Sequence, residues 1–153
     1  MSGMGQIKPV FSVVLGSEGP LEAPVNTSNP KVLVIEDDGT VRRMLVRFLK
    51  LNDYVVKDAT DFQEAVETIA EDQCFDVILL DVNFPGGGGL ELLPHLKSHC
   101  AAASVIVVSA TEDLDVVRRL MEEGAADFVP KPFDVTQLLE HIERHLKPAE
   151  TTP

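Results

Sequence analysis

The side chains with the clearest chemical potential are acidic, hydroxyl and ammonium groups that each follow a short apolar run. Three carboxylates in one place would repel one another, and the ordinary remedies are a divalent cation with oxygen ligands or an ammonium group. A carboxylate nucleophile, a cation such as Mg²⁺, and a hydroxyl and an ammonium that hold the transferred oxygens would together suit phosphoryl transfer. The residues are Glu36, Asp37 and Asp38 after residues 32–35, Asp81 after 77–80, Ser109 after 105–108, and Lys131 shortly after 128–129.

The pattern of apolar runs predicts how the chain would bring these residues together. Past residue 30, short apolar runs alternate five times with amphipathic stretches, which is typical of a parallel sheet with crossover helices. We therefore predict an α/β fold, a doubly wound parallel sheet of five strands flanked by five helices, with functional groups beyond the carboxyl ends of the strands. Unbroken apolar runs indicate central strands and shorter ones indicate strands nearer the edges: 32–35, 77–80 and 105–108 are unbroken, whereas 54–56 and 128–129 are shorter.

Two of the amphipathic stretches carry apolar residues at the spacing of one helical face. In the first helix, Arg42, Arg43 and Arg47 are expected to turn away from that face. The apolar residues are Val41, Met44, Leu45, Phe48 and Leu49 in the first helix, and Leu114, Val117, Leu120 and Met121 in the fourth.

Capping and breaking residues mark the ends of the other helices. The third helix contains Pro94, which we expect in the first turn, where backbone donors are unpaired, so the helix should begin near Gly88 or Gly89. The fourth helix should end at Gly124, which suits a left-handed cap. Two further pairs resemble capping boxes that start the second and fifth helices: Asp61 with Glu64, and Asp134 with Gln137.

Composition excludes several functional classes. The formal net charge is −12, whereas binding to a phosphate backbone requires clustered Lys and Arg, so we expect no direct nucleic-acid binding. No stretch approaches the roughly 20 apolar residues that span a bilayer, and the start lacks the features of a secretory leader. Cys74 and Cys100 have no metal-binding or redox spacing. These features predict a cytoplasmic protein without membrane association.

The composition divides the chain into three parts. Residues 1–30 have scattered Gly and Pro and are interpreted as an N-terminal extension, residues 31–147 as the domain, and residues 148–153 as a tail or the start of a linker. Residues 10–15 form a strand-like apolar run that could add to a sheet edge or dock in a groove, so a homodimer is possible. Glycines 86–89 favour a mobile loop over a phosphate cradle.

Two histidine pairs have the i, i+4 spacing of a metal site on a helix. They are His95 with His99 and His141 with His145. Because neither pair has a third ligand nearby in sequence, we interpret all four as surface histidines.

Four segments identify a family when taken together. VLVIEDDGTVRRML, LLDVNFPGGGGLELL, VIVVSA and GAADFVPKPF resemble, in order and spacing, the defining segments of response regulator receiver domains of two-component systems. The resemblance covers about residues 31–147 and implies a flavodoxin-like sheet with strand order 2-1-3-4-5. It also implies a signalling switch, not an enzyme, which assists its own phosphorylation and dephosphorylation.

The resemblance assigns roles to individual residues of this chain. It implies that Asp81 is the phosphoacceptor and that Mg²⁺ is bound by Asp37, Asp81, the backbone carbonyl of Asn83 and, through water, Glu36. Ser109 matches the hydroxyl residue that contacts the phosphoryl group, Lys131 the lysine on the other side, and Phe128 the aromatic switch residue. Ala110 would leave access to the phosphorylated aspartate, and the peptide between Lys131 and Pro132 would be cis.

The implied partners are a histidine kinase or phosphotransfer protein as donor, and a downstream protein target or fused output domain as receiver of the signal. Phosphorylation would change the face made by the fourth helix, fifth strand and fifth helix. Two alternatives stay open. One is a receiver-like interaction module that does not depend on phosphorylation. The other is a phosphatase with Asp81 as nucleophile, which the asparagine at position 83 disfavours because such enzymes resemble DxDxT.

Overall fold

The computed structural model describes residues 29–72, 75–82 and 89–146. Strands and helices alternate along the described chain, as the apolar pattern predicts. The elements are β1 (Lys31–Ile35), α1 (Gly39–Leu51), β2 (Val55–Ala59), α2 (Phe62–Glu71), β3 (Val77–Leu80), α3 (Gly89–His99), β4 (Ser104–Ser109), α4 (Leu114–Glu122), β5 (Asp127–Pro130) and α5 (Val135–His145).

The five strands form one parallel sheet in the order β2-β1-β3-β4-β5. The predicted order is therefore confirmed, and β2 and β5 are the edge strands. Every strand that was predicted to be central is buried along nearly its whole length, because helices cover both faces of the sheet. The register pairs Ile35 with Leu80 and Leu80 with Val107, so that β1, β3 and β4 end side by side.

The core has two layers, one on each face of the sheet. Alternate residues of β1 show the division, because Leu33 and Ile35 join the layer under α2, α3 and α4, whereas Val32 and Val34 join the layer under α1 and α5. These four side chains have at most 1% of their surface exposed. Each large side chain buried in this way contributes roughly 1.5 to 3 kcal/mol, which keeps the sheet rigid beneath the residues that follow it.

The helix ends agree in part with the predicted caps. The Asp61 carboxylate accepts from the Glu64 backbone N–H at 2.8 Å, and the Asp134 carboxylate accepts from Thr136 N–H at 2.7 Å. The Glu64 carboxylate accepts from Thr60, not from Asp61, so the first box is displaced by one residue. Gly124 has φ +113° after α4, as predicted for a left-handed cap.

Three expectations about helices were wrong. Helix α3 begins at Gly89 as predicted, but Pro94 is its sixth residue and therefore lies in the second turn, on the exposed side. Met44, Leu114 and Met121 were assigned to apolar faces, yet they are 39%, 76% and 42% exposed. Arg42 was expected to turn away, yet its side chain is only 15% exposed. The i, i+3, i+4 spacing covers a wider arc than the stripe that the sheet buries, which explains the exposure of Met44, Leu114 and Met121.

Several expectations lie outside the described residues. They concern the extension at residues 1–28, the glycines at 86–88, Asn83, Cys74 and the tail at 148–153. Within the described chain, no helix is long and apolar enough to cross a membrane. A cytoplasmic location stays a prediction.

Candidate functional site

The polar residues that follow the strands lie at one edge of the sheet. Glu36 and Asp37 come directly after β1, Asp81 comes after β3, and Ser109 is the last residue of β4. Lys131 comes after β5, and its backbone N–H donates to the carbonyl of Ser109 at 2.9 Å. The parallel arrangement therefore collects residues from four strand ends at the carboxyl edge of the sheet.

Three carboxylates meet at this edge. Oxygen atoms of Glu36, Asp37 and Asp81 all lie within 4.8 Å of one another. Glu36 is 2% exposed and Asp81 is 4% exposed, so water screens their charges poorly. This concentration of buried negative charge requires a cationic partner.

Lys131 supplies one cationic partner. Its Nζ donates to Glu36 Oε1 at 2.7 Å and to Asp81 Oδ2 at 3.4 Å. Burial opposes its charge, but the hydrogen bond that it donates to Glu36 and the charge of Asp81 raise the pKa of Lys131. Burial raises the pKa of Glu36, because the loss of hydration outweighs the hydrogen bonds from Lys131 and from the Asp38 backbone. The ammonium therefore remains charged at neutral pH.

The donor set at this edge fits a hard divalent cation. Three carboxylates face one ammonium, which leaves a surplus of negative charge. Mg²⁺ prefers oxygen ligands and usually takes one or two protein carboxylates while keeping several waters. Asp37 is the most accessible of the three acids. This exposure suits a ligand of a cation that keeps several of its waters. Asn83, whose backbone carbonyl was expected to complete the set, lies outside the described residues.

Ser109 ends β4, the neighbour of the strand that precedes Asp81, and Phe128 lies in the next strand, β5. Ser109 is fully buried, and its Oγ accepts from the Thr111 backbone N–H at 3.3 Å. Phe128 pairs in register with Val107 and is partly buried against the layer under α4. Ala110, next to Ser109, is exposed. The peptide between Lys131 and Pro132 is cis, as the resemblance implied.

An apolar cavity of about 430 Å³ opens beside Lys131. The exposed Met44 forms part of its wall. The other residues that line it are Val41, Ala110, Lys131, Pro132 and Phe133.

Sequence reasoning missed Arg42. Its Nη1 donates to the backbone carbonyl of Glu36 at 3.0 Å and to that of Asp37 at 3.4 Å, and its Nε donates to Asp58 Oδ2 at 3.1 Å. Arg42 lies one helical turn after the N-cap Asp38, and this spacing is the signal that could have placed it over the β1–α1 loop.

A second unpredicted cluster lies at the other end of β5. Nδ1 of His141 is 2.6 Å and Nε2 of His145 is 3.0 Å from Asp127 Oδ2, and Arg144 Nη1 is 3.6 Å from the same oxygen. Burial opposes ionisation, but hydrogen bonds from His141, the Phe128 N–H and His145 lower the pKa of Asp127. His141 and His145 are therefore not simple surface histidines, because both contact the same carboxylate oxygen of Asp127. The rings of His95 and His99 stack, with centroids 4.2 Å apart.

The fold and the site define a class: an α/β domain with an acidic pair, an aspartate, a hydroxyl residue and a lysine at the carboxyl edge of a parallel sheet. The family model for the response regulator receiver domain matches residues 32–143. The chain belongs to this family, and the predicted family is confirmed.

Individual relatives agree with the family model. The transcriptional regulatory protein MalR of Bacillus subtilis is 40% identical over 105 residues, which cover 67% of this chain and 44% of that protein. The phosphate regulon transcriptional regulatory protein PhoB of Escherichia coli is 36% identical over 116 residues, covering 74% of this chain and 50% of that protein. The chain thus spans about half the length of these relatives.

A solved structure gives the same result for the fold. The chemotaxis protein CheY4 of Vibrio cholerae superposes with a TM-score of 0.72 at 28% identity, covering 77% of this chain and 99% of that one. The receiver fold therefore accounts for the whole of that chain and for the described part of this one.

Proposed function

We propose that the chain is a phosphoacceptor receiver, which takes a phosphoryl group onto Asp81 and thereby changes the surface that it shows to partners. One observation carries the proposal. The buried Asp81 carboxylate lies within 4.8 Å of carboxylate oxygens of Glu36 and Asp37, and 3.4 Å from the ammonium of Lys131. A nucleophile, an acidic pair and a cation are thus in contact range at one point.

The proposed reaction is the transfer of a phosphoryl group from a phosphohistidine. An oxygen of Asp81 forms a bond to phosphorus while the phosphorus–nitrogen bond breaks, and the departing imidazole keeps the electron pair and takes up a proton. Lys131 and Ser109 hold the transferred oxygens. Water later attacks the acyl phosphate, which restores the carboxylate and releases inorganic phosphate.

Asp37, Asp81, the backbone carbonyl of Asn83 and, through water, Glu36 are the proposed ligands of Mg²⁺. When bound, Mg²⁺ neutralises the charge of the carboxylates and of the phosphoryl oxygens. The chain's own contribution is to keep the acidic groups together, which four converging strand ends support.

The proposed output follows from Ser109 and Phe128. Phosphoryl oxygens draw Ser109 toward Asp81, which opens space into which Phe128 turns from its partly buried position. The face made by α4, β5 and α5 then repacks, and partners read it there. In this proposal the chain is a signalling switch and not an enzyme, although it assists its own phosphorylation and dephosphorylation.

The proposed donor is a histidine kinase or a phosphotransfer protein. The apolar cavity beside Lys131 supports this proposal, because it offers a protein donor an apolar surface next to the lysine that bonds Asp81. The signal would pass to a fused output domain or to a separate protein target. We propose no direct nucleic-acid binding by this chain, because its net charge of −12 would repel a phosphate backbone.

The test is labelling of the full chain with acetyl phosphate or phosphoramidate in the presence of Mg²⁺, followed by intact mass spectrometry. We expect one added phosphoryl group, none after chelation of Mg²⁺, and none in Asp81→Asn, because an amide is not an anionic nucleophile. Asp115→Asn is the matched control, since the side chain of Asp115 is 85% exposed and lies on α4, so this variant should label like the wild type.

Three outcomes would contradict the proposal. Labelling that survives Asp81→Asn would move the acceptor elsewhere. A wild-type chain that takes no label but binds a partner would be a phosphorylation-independent interaction module. Repeated release of phosphate from an organic phosphate ester would indicate an aspartate-nucleophile phosphatase.

A further inference from the structure

Arg42 joins three parts of the chain next to the acidic pair. It belongs to α1, its Nη1 donates to two carbonyls of the loop after β1, and its Nε bonds Asp58 of β2. The side chain of Arg42 is 15% exposed, whereas that of Asp58 is 47% exposed. The guanidinium is thus held against the loop, and the ion pair is its outer contact.

The two carbonyls belong to Glu36 and Asp37, the residues whose carboxylates face Asp81. Both carbonyls lie beyond the ladder of β1, because the register with β2 and β3 ends at Ile35. They also precede Asp38, whose carbonyl accepts from the Arg42 N–H in the first turn of α1. The loop that carries both acids therefore lies between the ladder and the helix, where Arg42 supplies cross-links.

We propose that Arg42 is a positioning residue, which fixes the backbone of Glu36 and Asp37 so that their carboxylates converge on the site beside Asp81. The inference rests on the proposed Mg²⁺ and phosphoryl site. A carbonyl and a carboxylate of one residue share the same Cα, so a bond that orients the first restricts the direction of the second. Hydrogen bonds from a charged donor are stronger than neutral ones, which suits a loop that holds mutually repelling acids.

The sign of the effect on Mg²⁺ separates positioning from charge. If Arg42 acted only as a nearby positive charge, its removal would strengthen the binding of a cation. If Arg42 orients the two acids, its removal weakens cation binding although a repelling charge has been lost. Residues that orient metal ligands typically change metal affinity by about 10-fold to 100-fold when mutated.

The experiment is calorimetric titration of the full chain with Mg²⁺ alone, for the wild type, Arg42→Gln and Arg43→Gln. Arg43 is the matched control, because it is the next residue of α1, carries the same charge and is exposed. We expect Arg42→Gln to raise the Mg²⁺ dissociation constant about 10-fold or more. Arg43→Gln should leave the dissociation constant unchanged or lower it slightly. Thermal unfolding without Mg²⁺ checks that each variant folds.

Equal or tighter Mg²⁺ binding by Arg42→Gln would overturn the inference while the proposed site stands. If Arg42→Gln does not fold, Arg42→Lys replaces it. A lysine keeps the charge but lacks the planar fork that reaches both the carbonyls and Asp58, so Mg²⁺ affinity should still fall. Unchanged affinity in Arg42→Lys would then reject positioning by the fork. Failure of the wild type to bind Mg²⁺ would reject the proposed metal site itself.

Discussion

Glu36 and Asp37 are adjacent in sequence but have different surroundings. Glu36 is 2% exposed, accepts from Lys131 Nζ at 2.7 Å and accepts from the Asp38 N–H at 3.1 Å. Asp37 is more accessible. Glu36 is thus engaged by groups of the protein, and Asp37 is better placed to bind a cation directly.

We predict that Asp37→Ala weakens Mg²⁺ binding more than Glu36→Ala does. A direct ligand should matter more than a residue that acts through water, and we expect a loss of about 10-fold or more for Asp37→Ala. A Mg²⁺ titration of both variants measures the difference. Equal losses would reject this division of roles.

Asp127 provides a prediction about pH. Because its pKa is lowered in the folded protein, its contribution to stability is present above the unfolded pKa, near 3.9, and is lost as the pH falls through the folded value. Asp127→Asn should therefore lower the free energy of unfolding by about 1 to 3 kcal/mol at pH 7, and the difference from the wild type should shrink below about pH 4. Urea unfolding of the wild type and of Asp127→Asn, at pH 7 and below about pH 4, measures this difference in the free energy of unfolding.

Asp115→Asn is the control for this change. Within the part of the chain that the structure describes, the Asp115 carboxylate pairs with the exposed Arg118, so its loss should change the stability by less than about 0.5 kcal/mol. A difference for Asp127→Asn that stays constant across the pH range would show that the carboxylate charge is not responsible.

The residues that sequence reasoning placed correctly differ from those that it missed in one respect. Asp81, Ser109 and Lys131 follow apolar runs, and the rule that strand ends converge brings them together without any knowledge of their partners. Arg42 and Asp127 act through bonds to residues that are distant in sequence or belong to a neighbouring element. No local pattern encodes the bond from Arg42 to Asp58 or the contact between Asp127 and His141, so only the fold reveals these two.

At the scale of elements, the turn after α4 depends on a glycine. Gly124 has φ +113°, and a Cβ at this position would lie 3.2 Å from Cγ of Lys97. We predict that Gly124→Ala lowers the free energy of unfolding by about 1 kcal/mol or more, because an L side chain is strained at positive φ. Chemical denaturation measures the change.

Gly39→Ala is the matched control for Gly124→Ala. Gly39 does not have a positive φ, and a Cβ there would meet only the flexible end of Arg43, at 2.9 Å. The expected change is within about 0.5 kcal/mol. A loss at Gly39 as large as that at Gly124 would show that crowding, not backbone conformation, sets the cost.

Strands were easier to predict than helix faces in this chain. A strand buried on both faces needs only an apolar run, and β1, β3 and β4 each have one. A helix face requires its angular limits, which depend on the shape of the sheet below it. Met44 shows the consequence, because it has the correct spacing for the core and instead lines the cavity beside Lys131.

At the scale of the whole molecule, residues 29–147 form a compact unit by themselves. The Val55 N–H donates to the carbonyl of Pro30 at 2.9 Å, so a truncation should keep Asn29 and Pro30. The role of the preceding extension is a prediction from its sequence alone. Its apolar run at residues 10–15 would gain roughly 1.5 to 3 kcal/mol for each large side chain that it buries.

We predict that deletion of residues 1–28 lowers either the melting temperature or the number of chains per particle in solution. The first result would indicate that the extension packs on its own domain, and the second that it forms a dimer contact. Thermal unfolding and light scattering of the full and shortened chains measure both. No change in either quantity would remove any structural role for the extension.

The convergence of strand ends also links the site to folding. The acids follow β1 and β3, which pair with each other only once the crossover through β2 and α2 is complete, and Lys131 arrives with the last strand. An unfolded chain therefore keeps this acidic pair apart from Asp81 and Lys131, so it lacks the arrangement that the proposed divalent-cation site requires. A cation that binds only the native arrangement stabilises it by about 2.7 kcal/mol at a concentration 100 times its dissociation constant. If Mg²⁺ binds at the proposed site, its concentration would therefore adjust how long the chain resists unfolding and proteolysis, independently of phosphorylation.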